Sequence, residues 1–277
     1  MNIIKKLTLL FLSLLFIFGC EEVIELDLKT VEPKIVIEAI INNEVNASKV
    51  IISRSTDYYK PGKYQKISDA IIILTEENGN ETIFNEFDSG IYFSEPIVGE
   101  PSFTYNLKVI VDSIEYNATS FMPEPIIIDS VRMRKNDVGG RGGVTSNLRL
   151  QVYFQDKEDV KDFARFKVYQ NGNLVSGHNL YFDRLTNGNY INFPIFLDSN
   201  RDYLEGDVIT VELQTINKVT FDYFNVLTKV LTSNTGSGPG NDPVAPANPN
   251  TNWNNNSLGY FSAYSVSVDS VLIEKKK

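Results

Sequence analysis

The sequence predicts a mainly β protein. An N-terminal immunoglobulin/transthyretin-like β-sandwich over residues 34–122 is followed by a second antiparallel β-sandwich-like domain over 126–277 with one short helix. Three observations predict it. Apolar and polar residues alternate over short runs, the period of a half-buried strand. Turn signals built on Asn and Gly punctuate those runs at the spacing of sandwich folds. Met122-Pro123-Glu124-Pro125 then sets two prolines one residue apart, which removes backbone donors and places a domain boundary there.

Taken in order, the chain opens with Lys5 and Lys6 ahead of an apolar run, Leu7 to Phe18, broken only by Thr8 and Ser13. That run is shorter than the roughly 20 residues a bilayer span needs. Its basic start, apolar middle and small-residue end are those of a secretory signal over residues 1–19. The stretch Leu14 to Cys20 resembles a bacterial lipobox, in which the cysteine becomes the lipidated N-terminus. The alternative is an ordinary signal peptide with a chance cysteine. Cys20 is the single cysteine of the chain, so once acylated it leaves no thiol for a disulfide. Residues 20–33 then form a lipidated tether whose first part, Glu21 to Asp27, is acidic.

Lys34 to Ile41 and Lys49 to Ser53 are β-branched runs. Ala70 to Thr75 is continuously apolar, which predicts a strand buried on both faces. Glu77-Asn78-Gly79-Asn80 favours a tight hairpin, and Asp88-Ser89-Gly90 leads into Ile91-Tyr92-Phe93. Tyr105, Leu107, Val109 and Val111 share one face, and Ile114, Tyr116 and Ala118 resume the alternation after Asp112-Ser113.

Beyond the prolines, Ile126 to Val131 is strand-like, and Gly139-Gly140-Arg141-Gly142-Gly143 reads as a hairpin tip because no strand-to-helix phosphate motif accompanies it. Leu148, Leu150, Val152 and Phe154 alternate with polar neighbours, as do Ile209, Val211 and Leu213. Asn171-Gly172-Asn173 and Asn187-Gly188-Asn189 are turns. Phe221, Phe224, Leu227 or Thr228, and Leu231 recur at helical spacing, which predicts a helix over Val219–Leu231 covering one end of the sandwich. Residues 233–257 are rich in Gly, Pro, Asn and Thr and form a long polar loop before strand resumes over Gly259–Ile273.

Composition narrows the function. A net charge of -9 argues against nucleic-acid binding and against adhesion through a polybasic face. One histidine, His178, sits in the turn-like Gly177-His178-Asn179 and reads as a surface residue rather than a general base. With one histidine and no free cysteine, a zinc site is nearly excluded. Among 35 acidic residues no glycosidase-like pair stands out, so no catalytic residue and no cofactor is expected. Asp198, Asn200 and Asp202 place side-chain oxygens at alternate positions, as calcium loops do. Tyr203 stands where an EF-hand needs glycine and Ile209 where it needs glutamate, which favours a plain loop. Asp112-Ser113-Ile114, Asp129-Ser130-Val131 and Asp269-Ser270-Val271 share an Asp-Ser-aliphatic pattern. It is similar to the O-glycosylation acceptor of exported Bacteroidota proteins, and equally to turn-to-strand chemistry.

The assembled order resembles a family, the exported lipoproteins of Bacteroidota classed as domain of unknown function 4249. The residues that carry it are Glu21 to Leu28, Ile35-Val36-Ile37-Glu38, Asp69 to Ile73, Gly90-Ile91-Tyr92, Tyr105 to Val109, Pro125 to Val131, and Asn256 to Tyr264. The acidic stretch after Cys20 also looks like the surface-export tag of such lipoproteins, though it reads as a solvated tether too. The resemblance implies an outer-membrane lipoprotein encoded beside a TonB-dependent receptor, and assigns no catalytic residue.

The leading expectation is therefore a non-catalytic binding or accessory lipoprotein of a TonB-dependent transport system, anchored through Cys20 and facing the cell exterior. A periplasmic face is the alternative orientation. The competing functions are a structural or adhesive cell-surface lipoprotein and, behind it, a carboxylate-based hydrolase. Trp253, the lone tryptophan, is either a ligand contact on the long loop or a plug beneath it. Replacing Cys20 by Ala should move the protein from the membrane to the soluble fraction on ultracentrifugation. Retention of the variant in the membrane pellet would refute the lipobox.

Overall fold

Alternation along the chain becomes strands with one buried face. The computed structural model describes residues 32–45, 48–56, 64–135, 148–158, 160–183, 188–198, 201–233 and 248–274. Cys20 with its leader, the Gly139–Gly143 loop, Asn200 and residues 234–247 of the long loop lie outside them. The described residues, Glu32 aside, fall within one compact unit, Pro33–Lys277.

Seven strands come from the first half: β1 (Ile35–Asn42), β2 (Lys49–Arg54), β3 (Ile71–Glu76), β4 (Glu81–Asp88), β5 (Ile91–Ser94), β6 (Thr104–Val111) and β7 (Ile114–Phe121). The second half supplies β8 (Ile128–Lys135), β9 (Leu148–Gln155), β10 (Phe163–Gln170), β11 (Asn173–Phe182), β12 (Tyr190–Phe196), β13 (Val208–Thr215), helix α1 (Lys218–Ser233) and β14 (Leu258–Leu272). The fold is mainly β, in large antiparallel-rich sheets consistent with the expected sandwiches, with one helix among the described residues.

Turn chemistry fixes the hairpin registers. Asp112 and Ser113 both take positive φ, so Val111 faces Ile114 across a two-residue turn. Asn171 and Gly172 do the same between β10 and β11. Strand β3 departs from expectation. Its apolar run alternates, with Ile72 and Leu74 buried but Ile71 56% exposed, because the sheet covers only one of its faces. His178 lies within strand β11, exposed, rather than in a turn.

Eleven strands form one sheet, ordered β11-β10-β13-β14-β1-β2-β5-β4-β3-β6-β7, and β12-β9-β8 form a second. Among the described residues two large hydrophobic cores and one small cluster (Ile216, Phe221, Tyr264 and Val266) result. The first gathers Ile37, Ile52, Leu74, Tyr92, Leu107 and Met122 with their neighbours. The second is a sandwich, in which Leu150, Val152, Phe154 and Ile195 of the small sheet face Phe166, Val168, Val211 and Leu213 of the large one. Phe166 stacks on Phe193 with centroids 4.7 Å apart, and Tyr181 meets Phe154 edge-on at 5.2 Å. Each such buried side chain contributes about 1.5–3 kcal/mol of apolar burial. Met122 belongs to the first core and Ile126 to the second, with Pro123, Glu124 and Pro125 between them.

Strand β14 serves both cores. Its first half runs parallel to β1, from Leu258 opposite Val36 to Tyr264 opposite Asn42. Its second half runs antiparallel to β13, from Ser265 opposite Thr215 to Leu272 opposite Val208. Where either partner is missing, side chains stand in for it. Asn252 accepts from and donates to the Phe261 backbone, Ser120 Oγ accepts from Ala263 N–H, and Asn43 Oδ1 accepts from Val266 N–H. The segment after the prolines is tied down similarly. Thr215, Ser267 and Asp269 accept the backbone N–H groups of Ile126, Ile128 and Val131, each at 2.9 Å. Small polar residues along β14 thus satisfy backbone donors that burial would otherwise strand.

Residues near the long loop bury in the first core, not over the second. Trp253 is 5% exposed, and its indole N–H donates to Ile37 O at 3.1 Å. Gly259, opposite Ile37, leaves that carbonyl accessible, since a Cβ there would lie 2.1 Å from it, and its φ is +94°. Gly259→Ala should therefore lower the free energy of urea unfolding by about 3 kcal/mol or more. Gly79→Ala, at φ +89° but with open space around it, should cost only about 1 kcal/mol. Equal costs would refute the close approach of β14 to β1.

Candidate functional site

The period of two that buries one face of each strand assembles the other face into a surface. Across β2, β1, β14, β13 and β10 the outward residues are Lys49 and Ile51, Glu38 and Ile40, Tyr260, Ser262 and Tyr264, Glu212 and Gln214, and Arg165 and Lys167. Register brings them together. Glu38 stands opposite Ile51 and Tyr260, Ile40 opposite Lys49 and Ser262, and Arg165 opposite Gln214. All of these except Glu212, with Phe224 of α1 added, line a groove of about 230 Å³.

Helix α1 forms one wall. Asn217 caps it, its Oδ1 accepting Thr220 N–H at 2.9 Å, and burial of Phe221 against Tyr264 and Val266 and of Phe224 against Tyr260 holds it to the sheet. It starts at Lys218, one residue before the predicted start, and Leu231 of the predicted apolar stripe is exposed. The Tyr260 ring packs against both Tyr223 and Phe224, with centroids 4.9 and 5.0 Å away, and the three rings form a cluster. Thr220 and Ser262 join their hydroxyls across the helix–strand contact at 3.2 Å.

The charges are unevenly matched. Glu212 has three donors, accepting from Tyr169 OH at 2.6 Å, Gln214 Nε2 at 2.6 Å and Lys167 Nζ at 3.4 Å. Arg165 is half-buried and has neutral partners. Its Nε donates to Gly177 O at 2.8 Å, Nη1 reaches Gln214 Oε1 at 3.5 Å, and Cζ lies 3.9 Å over the Phe224 ring. Among the described residues no carboxylate lies within 4 Å of its guanidinium. Burial lowers the pKa values of both Arg165 and Lys167, with Glu212 pulling Lys167 back up. Burial also raises the Glu38 carboxyl, which Lys49 beside it draws down. Tyr260 and Tyr264 are pushed up by burial, and Tyr223 by burial and Glu38 to about 12, so the phenols stay protonated as neutral donors.

The predicted site residues lie elsewhere. Ser113 and Ser270 are exposed and Ser130 is half-buried, on a β8 bulge. The Asp269 carboxylate accepts Val131 N–H and Ser270 N–H, a structural use of that Asp-Ser-Val pattern. Asp198 and Asp202 each offer a backbone carbonyl, to Arg201 N–H and Gln170 Nε2 respectively. Among the described residues no group of three or more His, Cys, Asp or Glu side chains is placed to hold a metal ion. Trp253 is in the first core, the second of its two expected roles. The groove residues were missed because they come from strands far apart in sequence, although the outward alternation of Arg165, Lys167 and Tyr169 was visible in it.

A family model described as "Domain of unknown function (DUF4249)" matches residues 21–270. The chain belongs to this family. The matched span of this DUF4249 member contains every groove residue. No curated protein matches it.

Two further carboxylates are strained, at the edge of the second core. Asp156 and Asp162 are 1% and 5% exposed, and each leaves Oδ2 without a hydrogen-bond partner. Burial, and then the negative charge of Asp183, raises the Asp156 pKa; burial and Asp156 itself raise that of Asp162, against the pull of Lys157. A raised folded-state pKa stabilises below the unfolded value, near 3.9, and that stability is lost as pH rises through the folded value. His178, whose pKa is lowered by burial and Arg165, acts in the opposite sense below its unfolded pKa of about 6.5. Comparison with Asp156→Asn/Asp162→Asn isolates the carboxylates. The melting temperature of wild type relative to this variant should be higher near the unfolded carboxyl pKa, at about pH 4, than at about pH 7. A constant difference would show that neither carboxylate is strained.

Proposed function

We propose that this DUF4249 member is a non-catalytic, surface-facing outer-membrane lipoprotein that holds a small ligand in the groove for a TonB-dependent transport system. The observation that carries the binding role is the groove itself, a concave site joining an apolar aromatic wall to converging polar groups. Its side chains suit holding better than cleaving. The chain's one histidine is exposed on β11, its one cysteine is residue 20, and Glu38 is the sole carboxylate lining the groove. General acid–base hydrolysis of the two-carboxylate kind needs a second acid there. The lipobox-like stretch at Cys20 supports the anchor, and the family resemblance supports the transporter partner.

Affinity purification of the tagged lipoprotein from native membranes, followed by mass spectrometry, tests this reading. Recovery of a TonB-dependent receptor in stoichiometric amount is the expected result. Recovery of the lipoprotein without any transporter would overturn the accessory role. Protease treatment of intact cells should digest it; full protection would overturn the surface assignment.

A further inference from the structure

Arg165 poses a physical question that the rest of the groove answers. A guanidinium taken partly out of water needs compensation, because a buried charge without a counter-charge costs several kcal/mol. Most half-buried arginines meet that cost with a carboxylate. Here the nearest carboxylate network is centred on Glu212, whose oxygens are occupied by Tyr169, Gln214 and Lys167. Arg165 receives two neutral carbonyl acceptors and an aromatic face instead, and a guanidinium carries five N–H donors.

A second cation lines the same groove. Lys49 is half-buried on β2 and makes no ion pair with the described residues. Its acidic neighbour is Glu38, whose carboxyl burial pushes up and Lys49 draws down. Arg165 and Lys49 thus both line the groove without an ion pair to the described residues, in a protein whose net charge is -9. A general attraction to polyanions does not explain them, since the remaining surface repels such partners. The groove's size, about 230 Å³, also restricts it to small molecules.

We infer that the groove binds a small organic anion of about the bulk of one sugar ring, with its carboxylate or phosphate oxygens paired to Arg165 and Lys49 and its apolar face against Tyr260 and Phe224. This inference deepens the binding role proposed above and rests on it. Arg165 is suited to the anion because its planar fork matches a two-oxygen acceptor, and its stacking on Phe224 holds that fork in place. Tyr260, packed against Tyr223 and Phe224, supplies a rigid face for the ring. Ser262, Gln214 and Tyr264 add polar residues to the groove lining. The anion would supply the counter-charge that the fold withholds from Arg165.

Isothermal titration calorimetry of the purified, detergent-solubilised lipoprotein tests this with three probes that share a ring: glucose, glucuronate and glucose 6-phosphate. Glucuronate or glucose 6-phosphate should bind, and the tighter of the two tells carboxylate from phosphate. Glucose should bind at least about tenfold more weakly than that anion. Lys49→Gln and Arg165→Gln should each weaken the anion by about tenfold or more, while thermal melting checks that both variants fold. Glucose binding as tightly as the anions would overturn the anion assignment and leave the groove as a binding site. Binding of neither anion would overturn the inference as well. If a transporter is still recovered from membranes in that case, the accessory role stands without it. Undiminished anion binding by both variants would place the anion elsewhere and overturn the assignment.

Discussion

The whole arrangement depends on one strand that changes partners. Between Tyr264 and Ser265, β14 passes from a parallel pairing with β1 to an antiparallel pairing with β13. A strand has two edges, and at this crossing each edge is paired for only half its length. The unpaired halves would strand backbone donors inside the protein, at a cost of about 1–3 kcal/mol each. Asn43, Ser120 and Asn252 remove that cost by accepting those donors, and Gly259 lets β14 approach β1 closely. The alternation of serines with apolar residues through Ser262, Ser265 and Ser267 follows from the same need. One edge must be packed while the other is hydrogen-bonded.

The groove is a consequence of that crossing. Because β14 pairs with β1 on one edge and with β13 on the other, the outward faces of β1 and β2 from one half and of β10 and β13 from the other become a single surface of the eleven-stranded sheet. Cations and an acid that would be scattered on separate sandwiches converge there, and α1, capped by Asn217, closes one side. The arrangement carries an energetic penalty at Arg165, where a half-buried charge lacks a carboxylate. Folds that optimise stability alone replace such a group by an apolar one at little or no cost. Its position on the lining of a concave groove, with neutral partners only, is the physical argument for a ligand.

Much of the fold was legible because strand alternation is a local property. Tyr105 to Val111, Leu148 to Phe154 and Asp207 to Thr215 each announce a buried face in sequence, and Asn171-Gly172 announces a hairpin. Strand β11 was not legible as a strand, since Ser176, Gly177, His178 and Asn179 dilute its apolar residues to the look of a turn. The apolar run at Ile71 misled in the other direction, because continuous hydrophobicity says nothing about whether a second layer covers it. The site was least legible. Lys49 and Arg165 lie in different halves of the chain, and only the parallel pairing of β1 with β14 makes them neighbours of one groove. Non-local pairing of that kind leaves no signature in a short window of sequence.

The central claim is that β14 unites the two cores into one cooperative structure and thereby forms the groove. Native-state hydrogen exchange along β14 in rising denaturant tests it most directly. The account predicts that amides from Leu258 to Tyr264 and from Ser265 to Leu272 lose protection together, in a single transition shared by both cores. Loss of protection over Ser265–Leu272 at lower denaturant, with Leu258–Tyr264 still protected, would contradict it.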